Sequence, residues 1–231
     1  MQRIKIQLLV LLSFISFSEA LEAQDWPNLQ KFQEANVEVL KNKNTDGRIV
    51  FMGNSITEGW EDANPSFFID NPYINRGISG QTTPQMLLRF QQDVINLNPK
   101  AVVILAGTND IAGNTGPMTL EQIRDNILSM VQLAKANGIH PIVSSVLPAY
   151  DYPWRPGLEP NVKIPKLNQL LKEMTDKQGV MYLDYFSAMA DDRNGLPKAY
   201  TTDEVHVTKE GYAVMEKLVS EAISKALNLE K

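Results

Sequence analysis

Ile49-Val50-Phe51-Met52-Gly53-Asn54-Ser55-Ile56-Thr57 is the stretch that decides the fold. Four apolar residues in a row, with Gly47 before them and Gly53 after, predict a buried β-strand over 48–52, since a strand covered on both faces shows no polar alternation. A glycine at its exit lets the backbone turn without a Cβ clash. Ser55 then falls on the turn at the strand's C-terminal end, where open α/β sheets bind ligands. A hydroxyl held there is placed to be a nucleophile. Asn54, Ser55 and Thr57 also suit a second reading, as caps of the next helix.

Outward from this strand, the pattern alternates. Towards the N-terminus, Leu29, Phe32, Val37 and Leu40 predict an opening helix over 28–43. Towards the C-terminus, 60–72 reads as a loop with room for a short helix, and Tyr73-Ile74-Asn75 as a second strand. Arg76-Gly77-Ile78-Ser79-Gly80-Gln81 is a glycine-rich turn. Thr83-Pro84 opens a helix, with proline at the first position. Leu87, Phe90, Val94 and Leu97 form its stripe, and Pro99 stops it. Ala101–Leu105 is a third buried strand. Thr119-Leu120-Glu121-Gln122 has capping-box form, and Leu120, Ile123, Ile127, Met130, Val131 and Ala134 recur at amphipathic spacing. Strands over 141–146 and 180–183 flank a long loop, 148–165, and a helix over 166–177. A second loop, 184–208, leads to a last helix carrying Tyr212, Met215, Leu218 and Val219. Strands alternating with helices predict a parallel five-stranded sheet in a three-layer α/β/α sandwich.

The 231 residues, 43% of them hydrophobic, suit one α/β domain. Arg3 and Lys5 precede an apolar run over 6–17 and the small-x-small pattern Ser18-Glu19-Ala20. Residues 1–20 thus read as a secretory signal peptide, with cleavage after Ala20 or as late as Ala23, and 21–231 as the domain. The run is short of the roughly 20 residues that span a bilayer. Export to the periplasm or the outside follows, with no stable membrane insertion. Removing residues 1–20 takes away Arg3, Lys5 and Glu19 and moves the formal charge from −5 to −6. That balance argues against nucleic acid as a partner. There is no cysteine, which excludes disulfides and thiolate metal sites, and only two histidines, which disfavours a histidine metal cluster. No metal and no cofactor is implied.

A serine nucleophile needs a base. His206 stands before the last helix, and Asp203, three residues upstream, is spaced to hold its imidazole and fix the tautomer. His140, entering a buried strand, reads as structural. Ala106-Gly107-Thr108-Asn109-Asp110 leaves the third strand at the same sheet edge as Ser55. An Asn amide there can donate to a developing oxyanion, a donor worth roughly 3–4 kcal/mol. The backbone N–H groups of Gly80 and Ser55 could complete such a hole. Each stretch also has a plain loop reading.

Taken in order, Gly53-Asn54-Ser55, Gly80, Gly107-x-Asn109 and Asp203-x-x-His206 resemble the SGNH hydrolases, also called GDSL lipases and esterases. The resemblance spans essentially the whole mature chain. It implies a flavodoxin-like fold, Ser55 as nucleophile, Asp203 and His206 as acid and base, and Gly80 and Asn109 as oxyanion donors beside the Ser55 N–H. Two positions depart from the pattern: Asn54 replaces the usual Asp, and Glu204 follows Asp203 where Gly is common. An α/β-hydrolase elbow, Gly-x-Ser-x-Gly, fails because Thr57 holds its fifth position.

The expected activity is hydrolysis of short acyl esters, acetyl foremost, on a carbohydrate, through an acyl-enzyme. No inserted lid interrupts the blocks. Trp60, Tyr150, Tyr152, Trp154 and Arg155 lie in the expected pocket loops, a mixture suited to a sugar face, and Trp60, Tyr150, Trp154 and Arg155 are the substrate-binding candidates. Lysophospholipase or medium-chain esterase activity is the alternative and would need a continuous apolar groove. A carbohydrate-binding module without turnover is the third reading.

Overall fold

The computed structural model describes residues 24–41 and 47–228. The signal-peptide reading falls on residues outside these. Five strands, β1 (Ile49–Gly53), β2 (Tyr73–Gly77), β3 (Ala101–Leu105), β4 (His140–Ser144) and β5 (Met181–Leu183), form one sheet in the order β2-β1-β3-β4-β5. Every pairing is parallel, with Ile49 opposite both Tyr73 and Ala101. This is the flavodoxin-like order, and the topological switch lies between β1 and β3.

Period-two alternation within the apolar runs divides the core in two. Val50, Met52, Val102, Ile104 and Val143 pack on one side against α4 (Thr83–Asp93), α6 (Leu120–Ala136) and α7 (Pro160–Gln178). Ile49, Phe51, Val103, Leu105 and Ile142 pack on the other. There they meet α2 (Ser55–Ala63), α3 (Pro65–Ile69), α8 (Tyr185–Met189) and α9 (Lys209–Asn228). The three layers follow directly. The Thr119 capping box is present, with Thr119 Oγ1 accepting the Gln122 N–H.

Four sequence expectations need correction. The opening helix, α1 (Gln33–Lys41), starts later than 28, and Val37 and Leu40 are 57% and 50% exposed. Its inward position is polar: buried Asn36 donates to Asp93 Oδ1 at 2.7 Å. The stretch 60–72, read as a loop with room for a short helix, holds the end of α2 and the whole of α3. The α4 helix ends at Asp93, and a 3₁₀ turn, Ile95–Leu97, replaces its last turn. Finally, α7 begins at Pro160, not after Pro165, which lies inside it. The proline deprives the Asn161 carbonyl of its helical donor, and Asn194 Nδ2 supplies one instead at 3.1 Å.

Candidate active site

Ser55 opens α2 directly beyond β1. The two readings of this turn are compatible: Asn54 caps the helix, its Oδ1 accepting the Ile56 N–H at 3.0 Å, and the cap leaves Ser55 at the mouth. A carboxylate would accept that N–H equally, so Asn54 preserves the turn. The strand must end in glycine, because a Cβ on Gly53 would stand 2.0 Å from Thr57 Oγ1.

The structure brings His206 to this mouth. Its Nε2 lies 3.0 Å from Ser55 Oγ, and its Nδ1 lies 2.6 Å from Asp203 Oδ2. Both side chains sit on a loop closed by a bridge between Thr201 and Val207. Partial burial pushes the Asp203 carboxyl upward. Hydrogen bonds from the His206 ring and from the backbone N–H groups of His206 and Val205 outweigh it, and hold the group below the usual carboxylate range. His140 opens β4, at the opposite end of the sheet.

Gly80 stands across the mouth with φ +76°, a left-handed conformation open to glycine. No group among the described residues accepts its N–H. Asn109, in the short helix α5 (Thr108–Ile111), donates from Nδ2 to the Gln81 carbonyl at 3.0 Å, which leaves the second amide hydrogen for another acceptor. Behind it, Asp110 accepts from the Thr83 N–H and hydroxyl while its other oxygen is buried without a partner, and burial lifts its pKa to about 6.

Residues that the sequence did not mark hold these pieces together. Buried Arg89 donates to the Gly53 carbonyl at 3.2 Å, to the Arg76 carbonyl at 2.8 Å and to Gln81 Oε1 at 2.6 Å. It ties the ends of β1 and β2 to the Gly80 turn, with Asp93 as its ion partner. Asn114 Nδ2 donates to the Gly80 carbonyl. An arginine on a helix ordinarily reads as a solvated charge, so no sequence signal pointed to Arg89.

The aromatic candidates separate sharply. Trp60 is not at the site: it is 1% exposed, stacked between Phe67 and Tyr212 at 5.2 and 5.4 Å. Tyr152 is also core, its hydroxyl 2.8 Å from Thr108 Oγ1. Trp154 stacks on Tyr152 and lies 6.4 Å from the His206 ring, half exposed. Arg155 bonds the Ala112 and Gly113 carbonyls, tethering the Trp154 loop to the segment after Asn109. Tyr150 is 44% exposed under the Arg193 guanidinium, and Arg193 reaches Glu204 at 3.9 Å. Among the described residues, no group of three or more His, Asp or Glu side chains is arranged to hold a metal.

An imidazole held between a serine hydroxyl and a carboxylate at the switch point of a parallel sheet has the geometry of nucleophilic acyl transfer. The profile of the GDSL-like lipase/acylhydrolase family matches residues 51–214, and the chain belongs to that family. It is similar to the crystal structure of a proposed acylhydrolase of Bacteroides fragilis, at 48% identity and a TM-score of 0.86, over 89% of this chain and 100% of that one. It is also similar to a GDSL-like lipase of Bacteroides thetaiotaomicron, at 45% identity and 0.84, over 87% and 98%. A Bacillus subtilis lipoprotein, YqeF, described as uncharacterized, is 37% identical over 78 residues. That match spans 32% of each chain, so this chain covers about a third of that relative.

Proposed function

We propose that this chain is an exported serine esterase that removes short acyl groups, acetyl foremost, from carbohydrates. One observation carries the reading: an unbroken hydrogen-bond line runs from Ser55 Oγ through His206 to Asp203, beside the exposed face of Trp154. Ser55 Oγ attacks the ester carbonyl while His206 Nε2 takes its proton, and Asp203 stabilises the imidazolium. Asn109 Nδ2 and the Gly80 and Ser55 N–H groups receive the oxyanion. His206 then protonates the departing alcohol, and water, deprotonated by the same ring, hydrolyses the acyl-enzyme.

One feature of the mouth supports a sugar beside the acyl group. Trp154 offers an indole face of the kind that stacks on a sugar ring, with its loop held in place by Arg155.

Hydrolysis of p-nitrophenyl acetate, butyrate, octanoate and palmitate by the parent and by Ser55→Ala tests the reading. Activity falling steeply beyond butyrate, and lost by several orders of magnitude in the variant, is the expected result. A preference for octanoate or palmitate would move the substrate to lipids, and an active Ser55→Ala would overturn the site.

A further inference from the structure

We infer that Glu58 is a positioning residue that holds the Gly80 N–H in place to receive the oxyanion; the inference rests on the reading of the site given above. Glu58 follows Ser55 by one helical turn on α2, so its backbone is rigidly tied to the nucleophile. Its Oε2 accepts both the Ser79 backbone N–H, at 2.8 Å, and the Ser79 hydroxyl. Ser79 is the residue whose carbonyl carbon forms the peptide bond to the Gly80 nitrogen. The carboxylate therefore grips the residue immediately before the donor, and does so from the helix that carries the nucleophile.

The remaining bonds of the turn show why this grip matters. Asn114 holds the Gly80 carbonyl, the Gln81 N–H reaches back to the Ile78 carbonyl, and Arg89 holds the Gln81 side chain. All three anchors act on Ile78 or from Gly80 onward. Glu58 alone among these anchors fixes Ser79. Gly80 carries no Cβ and sits at φ +76°, so the peptide ahead of it is free to rotate unless its neighbour is held. Glu58 also pairs with Lys31 at the surface; burial pushes its carboxyl up, and the Lys31 pair and the Ser79 bonds outweigh that and hold it below the usual range.

A group that places an oxyanion donor acts on the transition state and not on the bound ester. Glu58→Ala should therefore lower kcat on p-nitrophenyl acetate by about tenfold to a hundredfold, with KM within threefold of the parent. Glu58→Gln keeps an acceptor for Ser79 and should recover most of the loss. Lys31→Met leaves the Ser79 bonds in place and should stay within threefold of the parent.

Partial unfolding would also lower apparent kcat, so the deciding readout is a ratio from which enzyme concentration cancels. Each protein is assayed on an oxo ester and on the matching thiono ester, whose sulfur fits an oxyanion hole poorly. The preference for oxygen over sulfur should shrink about tenfold in Glu58→Ala and return in Glu58→Gln. An unchanged preference in Glu58→Ala, or an equal loss in Lys31→Met, overturns the inference. An inactive Ser55→Ala beside a fully active Glu58→Ala would remove this inference alone, whereas an active Ser55→Ala would remove the site reading beneath it.

Discussion

Asp203 meets His206 twice: Oδ1 accepts the His206 backbone N–H at 2.7 Å, and Oδ2 lies 2.6 Å from the ring Nδ1. The three-residue spacing makes this possible. An Asp accepts N–H groups two and three residues on in a tight turn, and Val205 supplies the other at 3.0 Å. One carboxylate oxygen is thereby spent on the backbone, which aims the second at the imidazole.

Asp203→Asn keeps the backbone acceptor and loses the negative partner of Nδ1. The ring then has no carboxylate to hold its proton on Nδ1 or to stabilise the imidazolium. On the proposed mechanism, kcat falls by about 10³- to 10⁴-fold, as expected when the orienting acid of such a triad is neutralised. Steady-state kinetics at neutral pH, with KM within a few fold of the parent, is the check. A loss below tenfold would separate Asp203 from catalysis.

Asn109→Ala removes a side-chain donor whose other amide hydrogen already serves the Gln81 carbonyl. On the proposed mechanism the expected loss is about 10²- to 10³-fold in kcat, with little change in KM, because an oxyanion donor is used in the transition state. A rise in KM with kcat preserved would assign Asn109 to ground-state binding instead.

The two tryptophans make opposite predictions. Trp60 fills the core between Phe67 and Tyr212, so Trp60→Ala should cost about 3–5 kcal/mol of stability. Trp154 is half exposed beside His206, and Trp154→Ala should leave the melting temperature nearly unchanged. It should raise KM for an acetylated oligosaccharide several-fold while sparing p-nitrophenyl acetate. Equal loss on both esters would remove the sugar platform from the proposal.

Sequence alone would not have distinguished these tryptophans, and the reason is physical. β1 and β3, buried throughout, write continuous apolar runs and were legible for that reason; the less fully buried β2, β4 and β5 were legible from their place between helices and turns, as was the capping box of α6. The order of the four blocks around Ser55, Gly80, Asn109 and His206 was legible because each follows a strand or precedes a helix at one sheet edge. What stayed hidden is polar burial. Asn36 faces inward on α1 because it meets Asp93, and Arg89 is buried because the carbonyls of Gly53 and Arg76 need its donors. Neither leaves a periodic apolar trace. Trp60 was misplaced for a related reason: α2 starts at Ser55 itself, with a cap that equally suits a loop.

Asp110 carries the last prediction. Its carboxyl is 2% exposed, with one oxygen bonded to Thr83 and the other buried without a donor. Burial lifts its pKa from 3.8 to about 6, so the folded protein favours the protonated form more than the unfolded chain does. The contribution of this group to stability is then full below pH 4 and is lost as pH rises through 6. At 1.36 kcal/mol per pKa unit, the loss is about 3 kcal/mol. Asp110→Asn keeps an oxygen for the Thr83 donors and cannot ionise. Between pH 4 and pH 7 the stability of the parent should therefore fall relative to that of the variant, the gap opening from about pH 4 and nearly complete just above pH 6. Denaturant melts of both proteins across that range measure it. Parallel curves would mean that Asp110 titrates alike in the folded and unfolded states, and that its unpartnered oxygen is hydrated after all.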